Sequence, residues 1–468
     1  MQWRLADLLQ ATEGRLIQGS GAGDGSEVFN FISTDTRTLK PGSVFVALRG
    51  ERFDGHDFVE EAVKKGAKAV IVDRDVLPLT AEACFIKVEN TRSALARLAI
   101  YRRQRFSGPV VGVTGSNGKT STKEMIASVL ENRFRVWKNP GNWNNDIGVP
   151  LSILEMPDQS NAAVLELGVN HPGEMSELVR IAEPNVGVIT NIQPAHLEGF
   201  GSEDGVFREK TVLWNALPPD GLAVVNRDDP RLSKAELILK VPSVSFGLEA
   251  DADVWVPGGK ASVRLDVSGT SFPVRFGGQR AEVNLPVWGD HYVVNALAAV
   301  AVGVHFGIDL RASAEKLRMW RPAPHRMNVH NLKDGTVLVD DTYNANPGSV
   351  KKAIETVAQV ARKVGRNFVA VLGDMKELGA EAERLHKEVG LFLVSFEPVL
   401  IVTLGEMAKK MLEDVEGSRR KAWVHAGSHE EAAAKVMEMV ESGAVILVKG
   451  SRSMTMERVV EKLIEGRR

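Results

Sequence analysis

Apolar residues recur along this chain in two rhythms. Short unbroken runs, among them Val110–Val113, "AAVLELGVN", "NVGVITNI" and "GLAVVNRDD", lack the polar alternation of a half-exposed strand. They predict parallel strands buried on both faces. Between them lie stretches with apolar positions every three or four residues. In "TRSALARLAIYRRQRF", Leu95, Leu98 and Ala99 share one helical face, and Val350, Ile354, Val357, Ala361 and Val364 form a second such stripe. Strand, turn and helix therefore alternate, which is the pattern of an α/β protein.

The rhythm divides the chain into three. Residues 1–106 mix short strands such as "GSVFVAL" and "AKAVIVD" with a helix near Phe58–Lys65. "SGPV" marks the first joint. Residues 107–319 hold the parallel strands. Near 253–287 they shorten into Gly-rich alternating strands, an antiparallel addition, and the helix "HYVVNALAAVAVGVHFG" closes the block. "RPAPHR" stiffens the second joint, and residues 320–468 return to α/β, with "TVLVDD", "NFVAVLGDM", "PVLIVTLGE" and "AVILVKGS" as strands.

Composition narrows the function. With 468 residues, 44% hydrophobic, 25% charged and a net charge of -2, the chain lacks the basic excess of a nucleic-acid binder. No apolar run reaches the length of a membrane span, and charges interrupt "MQWRLADLLQATEG" too early for a signal peptide. A single cysteine, Cys84, suits a reducing cytoplasm and reads as a buried structural thiol.

The chemistry concentrates in "VTGSNGKTSTKEM". A Walker A loop, G-x-x-x-x-G-K-[ST], cradles phosphate with backbone N–H groups at a helix N-terminus. Gly118, Lys119 and Thr120 fit, but the position five before Gly118 is Val113, and the extra glycine sits at 115. The loop is a variant that still follows an apolar strand. Lys119 is placed to balance phosphate charge, and the Thr120 hydroxyl to meet magnesium. Glu166 and His196 end or follow successive strands, where α/β sheets present ligands, and with Thr120 they suggest a magnesium or phosphate site.

Several motifs then coincide: "VTGSNGKTS", "GNWNNDIGVPLSIL", "LELGVNHPGEM", "TNIQPAHLEGFGS", "APHRMNV", "DDTYNANPGS" and "LGDMKELG". In order and spacing they resemble the Mur ligases, and among these the branch that adds D-alanyl-D-alanine to a UDP-N-acetylmuramoyl-tripeptide. The resemblance implies a mixed α/β first domain for the UDP end of the precursor. It implies a central P-loop ATPase-like domain with an added antiparallel sheet, and a Rossmann-like third domain for the incoming dipeptide. ATP would lie on Gly115, Ser116, Asn117, Gly118, Lys119, Thr120 and Ser121. Asn295 would meet adenine, Arg326 phosphate and Asp341 ribose. Two magnesium ions are implied, held by Thr120, Glu166, His196 and a Lys210 carried as its carbamate, with Lys119, Lys210 and His196 as the catalytic set. Tyr292 departs from the pattern, which has asparagine after the histidine.

For the precursor the resemblance points to Thr36, Arg37, Arg52, Phe53, Asp54 and His56. For the dipeptide the candidates are Asn344 and Asn346, whose amides suit a ligand with one amide and no charged side chain. The expectations include a cytoplasmic monomer with neither nucleic-acid partners nor membrane insertion. The alternatives are the ligase that adds diaminopimelate or lysine, a folylpolyglutamate synthetase, and a switch driven by nucleotide hydrolysis.

Overall fold

The computed structural model describes residues 2–19, 27–50, 52–76, 83–194, 197–249, 251–266, 268–413, 415 and 423–467. Among these, three sheets dominate.

The N-terminal sheet has the order Arg15–Gln18, Cys84–Lys87, Ala69–Val72, Ser43–Val46, Phe31–Ser33, parallel except at its first pair. Its three inner strands are buried on both faces, so their alternation sorts two cores rather than core from solvent. Val44, Val46, Ala69, Ile71 and Ile86 face the helices Leu5–Thr12 and Thr91–Arg103. Phe45, Val70, Val72 and Phe85 face Val59–Lys64. Cys84 is buried in the first of these cores, its thiol donating to the Glu27 carboxylate at 2.9 Å.

Helix Thr91–Arg103 also anchors this unit to the next. Leu95 and Leu98 join the N-terminal core while Ala96 and Ala99 join the central one. Arg103, buried, donates to the carbonyls of Ala182 (2.7 Å) and Glu183 (2.6 Å). Those carbonyls lie near the C-terminus of helix Glu174–Ala182, where a cation is favoured.

The central sheet is parallel through Val136–Lys138, Ala162–Glu166, Val110–Thr114, Val186–Ile189, Leu222–Asn226, Ser243–Gly247 and Val254–Trp255. It continues antiparallel through Gly269–Phe276 and its partners, as the shortened rhythm predicts. Val110–Thr114 sits in the middle, buried along its whole length. The helix Asp290–His305 packs against Lys119–Leu130, both largely buried. It does not close the block. A further helix, Leu310–Met319, follows, capped by Asp309 (2.8 Å to the Ala312 N–H), with only Leu310, Ser313, Ala314 and Leu317 buried.

The third sheet has the order Asn328–Asn331, Val337–Asp341, Val445–Lys449, Phe368–Gly373, Leu400–Leu404, Trp423–Ala426, parallel apart from the opening hairpin. Its two outer strands go beyond those expected from the sequence, because half-exposed edges lack the unbroken apolar run. The expected stripe lies on helix Pro347–Lys363, where Val350, Ile354, Val357 and Ala361 are buried. One apolar cluster runs from Val113 and Ile126 through Ala296 to Ile354 and Leu372, joining the central and third units.

Candidate active site

The phosphate loop explains its own displaced glycine. Gly115 has φ +146°, and a Cβ there would lie 1.9 Å from the Thr190 hydroxyl oxygen, so the tight approach falls at 115 and not at 113. Gly118, at φ +80°, leaves room for Asn295, whose Oδ1 would stand 2.6 Å from an added Cβ. The loop is held from the neighbouring strand end. The Ser116 N–H donates to the Asn191 carbonyl at 3.0 Å, and the Asn117 N–H to Asn191 Oδ1 at 3.0 Å. No described side chain caps helix Lys119–Leu130 at Gly118, so its first N–H groups point at an open anion site.

Lys119 curls over that site, its ammonium donating to the carbonyls of Gly115 (2.9 Å) and Ser116 (3.2 Å). Desolvation lowers its pKa, Glu166 opposes the shift, and the Arg326 charge adds to it. The Thr120 hydroxyl accepts from Arg326 Nη2 at 3.0 Å. Arg326 stacks on Tyr343 at 4.0 Å, and the residues on both sides of it, His325 (φ +63°) and Met327 (φ +52°), are left-handed. Their turn is what aims the guanidinium across the joint.

The departure at Tyr292 has a structural use. Its buried ring carries a hydroxyl that donates to the Arg326 carbonyl at 3.2 Å, and Ser121 beside it is buried too. Burial raises the phenol pKa, so the group stays a neutral donor. Asp341 accepts from Lys449 Nζ (2.5 Å) and the Met327 N–H (3.1 Å). His291 lies close by, its pKa lowered to about 4 by desolvation against the pull of Asp290 and Asp341.

Glu166 is 3% exposed. Its Oε1 accepts from Asn144 Nδ2 at 2.8 Å, while Oε2 is buried with no hydrogen-bond partner among the described residues. A buried carboxylate oxygen left open is costly unless a cation or donor arrives, so the group fits a divalent ion. Lys210, which the resemblance makes a carbamate, is 1% exposed. Its burial, together with the Lys119 charge, pushes its pKa well below the usual lysine range against the opposing Glu209. Among the described residues no group of three or more His, Cys, Asp and Glu is arranged around a metal position. His196 lies outside the described residues.

Lys119, Thr120, Glu166, Tyr292, Arg326 and Asp341 line a cleft of about 1360 Å³ between the central and third units. Asn344 and Asn346 both reach it. Asn346 is occupied: its Oδ1 accepts from the Ser349 N–H (2.8 Å) as a helix cap, and its Nδ2 donates to Asn117 Oδ1 (2.7 Å). It shapes the turn and ties it to the phosphate loop. Asn344 donates through no described side-chain bond, its Oδ1 accepting from the Ala345 N–H at 2.9 Å. Residue-by-residue reading passed over Asn144, Tyr343 and Lys449. The first two stand inside motifs already quoted, "GNWNNDIG" and "DDTYNANPGS", and Lys449 ends the strand of "AVILVKGS".

The precursor candidates stand apart from this cleft. Thr36 is buried, and Arg37, its side chain 85% exposed, grips Asp35 at 2.6 Å. Arg52 and Phe53 are exposed, Phe53 in an edge contact with Phe58. Asp54 and His56 turn inwards. His56 Nε2 accepts the Asp73 N–H at 3.1 Å, so Nδ1 carries the proton and donates to Asp54 Oδ1 at 2.6 Å. The pair builds the turn that displays Phe53.

Comparison with known proteins agrees with this geometry. A Mur ligase family catalytic domain matches residues 28–103, a Mur ligase middle domain 113–303, and a Mur ligase glutamate ligase domain 325–452. The UDP-N-acetylmuramoyl-tripeptide–D-alanyl-D-alanine ligase of Bacillus subtilis is 36% identical over 94% of each chain. The chain belongs to the Mur ligase family. A second Mur ligase relative, the same-named enzyme of Escherichia coli, is 35% identical over 93% of this chain and 94% of its own. MurF from Acinetobacter baumannii superposes with a TM-score of 0.89 at 33% identity over 99% of both chains. MurF ligase from Thermotoga maritima, solved with ADP, gives 0.83 at 31% over 93% of this chain and 97% of its own. A diaminopimelate ligase and a folylpolyglutamate synthase share the fold alone, at 17% and 16% identity.

Proposed function

We propose that this Mur ligase joins the amine of D-alanyl-D-alanine to the terminal carboxylate of UDP-N-acetylmuramoyl-tripeptide, consuming ATP and releasing ADP and phosphate. A carboxylate resists an amine because it is anionic and offers no good leaving group. Attack of one carboxylate oxygen on the γ-phosphorus breaks the bond to the bridging oxygen, frees ADP and leaves an acyl phosphate. The dipeptide amine then attacks the acyl carbon, phosphate departs with that oxygen, and the nitrogen loses its proton.

Side chains of this protein supply the electrostatics. Lys119, the open N-terminus of its helix and Arg326 converge where negative charge moves, which is the arrangement that lowers a phosphoryl-transfer barrier. Asp341, oriented by Lys449, suits the ribose hydroxyls, and Asn295 suits the base. Thr120 and Glu166 suit a first magnesium ion and His196 a second; bound there, magnesium supplies charge neutralisation and Lewis acidity. Lys210 is fitted for carbamylation, because a lysine whose pKa is pushed down presents a free amine to carbon dioxide, and the product is an anion.

Residues 1–106 would take the UDP end through Thr36, Arg37, Arg52 and Phe53, over the turn made by Asp54 and His56. Residues 107–319 would take ATP, and residues 320–468 the dipeptide, with Asn344 as its polar contact. Among the described residues no helix is long and apolar enough to cross a membrane. We take the enzyme to be a cytoplasmic monomer acting on soluble precursors, and the single cysteine suits a reducing cytoplasm.

The observation that carries the reading is Glu166 Oε2, without a hydrogen-bond partner among the described residues, in the same cleft as a phosphate-loop helix that no described side chain caps. The test of acceptor is direct. ATP and the UDP-linked tripeptide are offered with D-alanyl-D-alanine, lysine, diaminopimelate and glutamate in separate reactions, read by mass spectrometry. The dipeptide adduct should form with one ADP per amide. Efficient joining of a charged amino acid, with the dipeptide ignored, would overturn the assignment.

A further inference from the structure

Glu166 enters the cleft from the last position of its strand, where the backbone ladder runs out. The edge strand Val136–Lys138 pairs with it in parallel, Lys138 opposite Val164, and Asn139 comes next. The Asn139 side chain takes over the ladder. Its Oδ1 accepts the Glu166 N–H at 2.9 Å, and its Nδ2 donates to the carbonyls of Glu166 (3.0 Å) and Trp143 (2.7 Å). A carboxamide has the donor and acceptor of a peptide group, so it can stand in for one at a strand end.

Asn139 is itself fixed. It is fully buried, and its own carbonyl accepts from Lys123 Nζ at 2.7 Å. Lys123, also fully buried, lies one turn beyond Lys119 on the phosphate-loop helix and stands 3.2 Å from the Glu124 carboxylate. One unbroken path therefore runs from the phosphate-loop helix, through Lys123 and Asn139, to the backbone of Glu166. Burying an ammonium and a carboxamide in a core is costly unless their bonds are complete. Here two of the Asn139 side-chain bonds hold the backbone of Glu166, whose Oε2 has no hydrogen-bond partner among the described residues.

We infer that Asn139, anchored by Lys123, is a positioning residue for the Glu166 carboxylate, fixing the direction of Oε2 and through it the affinity for a divalent cation. The inference rests on the reading of Glu166 as a metal ligand. It concerns a residue that touches neither substrate nor ion. Partners of this kind, which orient a ligating group, change metal affinity by about 10- to 100-fold when removed.

The probe is Mn2+ bound to the full chain in the presence of ADP, titrated by electron paramagnetic resonance, with thermal melts run in parallel. The variants are Asn139→Ala, the isosteric Asn139→Asp, Glu166→Gln and the Asn139→Ala/Glu166→Gln double variant. Asn139→Asp keeps the acceptor for the Glu166 N–H but sets a carboxylate against the two carbonyls. Mn2+ should bind about 10-fold or more weakly to each folded Asn139 variant, with no further loss on adding Asn139→Ala to Glu166→Gln. A role confined to stability would lower the melting temperature in both backgrounds and leave the affinity of the folded protein unchanged. Affinity within about twofold of the parent in Asn139→Ala, while Glu166→Gln abolishes binding, overturns the inference alone. Unchanged affinity in Glu166→Gln overturns the metal reading beneath it. Should neither Asn139 variant fold, Lys123→Met removes only the anchor and must weaken Mn2+ binding for the inference to stand.

Discussion

Lys210 is set apart by its burial and not by residue type. In "FREKTVL" it looks like a solvated charge, yet Val206, Lys210, Leu213 and Trp214 fall on one face of their helix and all are buried. That stripe was readable; a lysine inside it was easily taken for an interruption. Lys210→Ala is expected to lose most activity, with partial recovery on adding a small carboxylate such as acetate. An unchanged rate and magnesium dependence in that variant would remove the carbamate. Lys119→Ala should cost about 100-fold or more in phosphoryl transfer with circular dichroism unchanged, since its partners are loop carbonyls and no core depends on it. His291 gives a pH signature. It takes up a proton at about 4 when folded against 6.5 for the free group. Between those values the unfolded chain binds more protons, so stability falls as pH drops through that window, and above it the residue contributes nothing. Melting temperatures should therefore decline less between pH 6.5 and 4 in His291→Gln than in the parent. A parallel decline would contradict the shift.

Among the elements, the strands that carry the site were the most legible. Val110–Thr114, Ala162–Glu166 and Val186–Ile189 are buried on both faces, so their sequences are unbroken apolar runs ending at the candidate site. The elements that escaped are short and half exposed: Asn328–Asn331, Trp423–Ala426 and the ten-residue helix Leu310–Met319. Side-chain relays escaped for another reason. Two partners of Asn139, Lys123 and Glu166, lie 16 and 27 positions away in sequence, and no local pattern links them. The displaced loop glycine makes a sharp prediction. Gly115→Ala drives a Cβ into Thr190 in a backbone region that disfavours side chains, so ADP binding by calorimetry should be lost. Gly278→Ala, where an added Cβ meets no described atom within 4 Å, serves as the tolerated control. Normal ADP affinity in folded Gly115→Ala would mean that the loop is not built as described.

Across the whole molecule, catalysis depends on two units meeting over one cleft. Their junction combines a shared apolar core with polar ties. Lys352 on helix Pro347–Lys363 pairs with Asp290 at 2.7 Å, Lys260 reaches the same carboxylate at 3.1 Å, and Asn346 bonds to the phosphate loop. An acyl phosphate open to water would hydrolyse, so ligands should draw the third unit closer about "RPAPHR". Small-angle scattering is expected to show compaction when an ATP analogue and the precursor are added together. Identical profiles would count against closure. The three-unit division and the family motifs were legible because they depend on local runs and loops. The joining of the central and third units was not, because its partners, such as Ala296 and Ile354, sit on separate helices. The most direct measurement follows one oxygen. The UDP-linked tripeptide is prepared with 18O in both oxygens of its terminal carboxylate and turned over with ATP and D-alanyl-D-alanine. Activation as an acyl phosphate sends one labelled oxygen into the released phosphate and leaves one in the new amide. Phosphate free of label, with amide still formed, would contradict it.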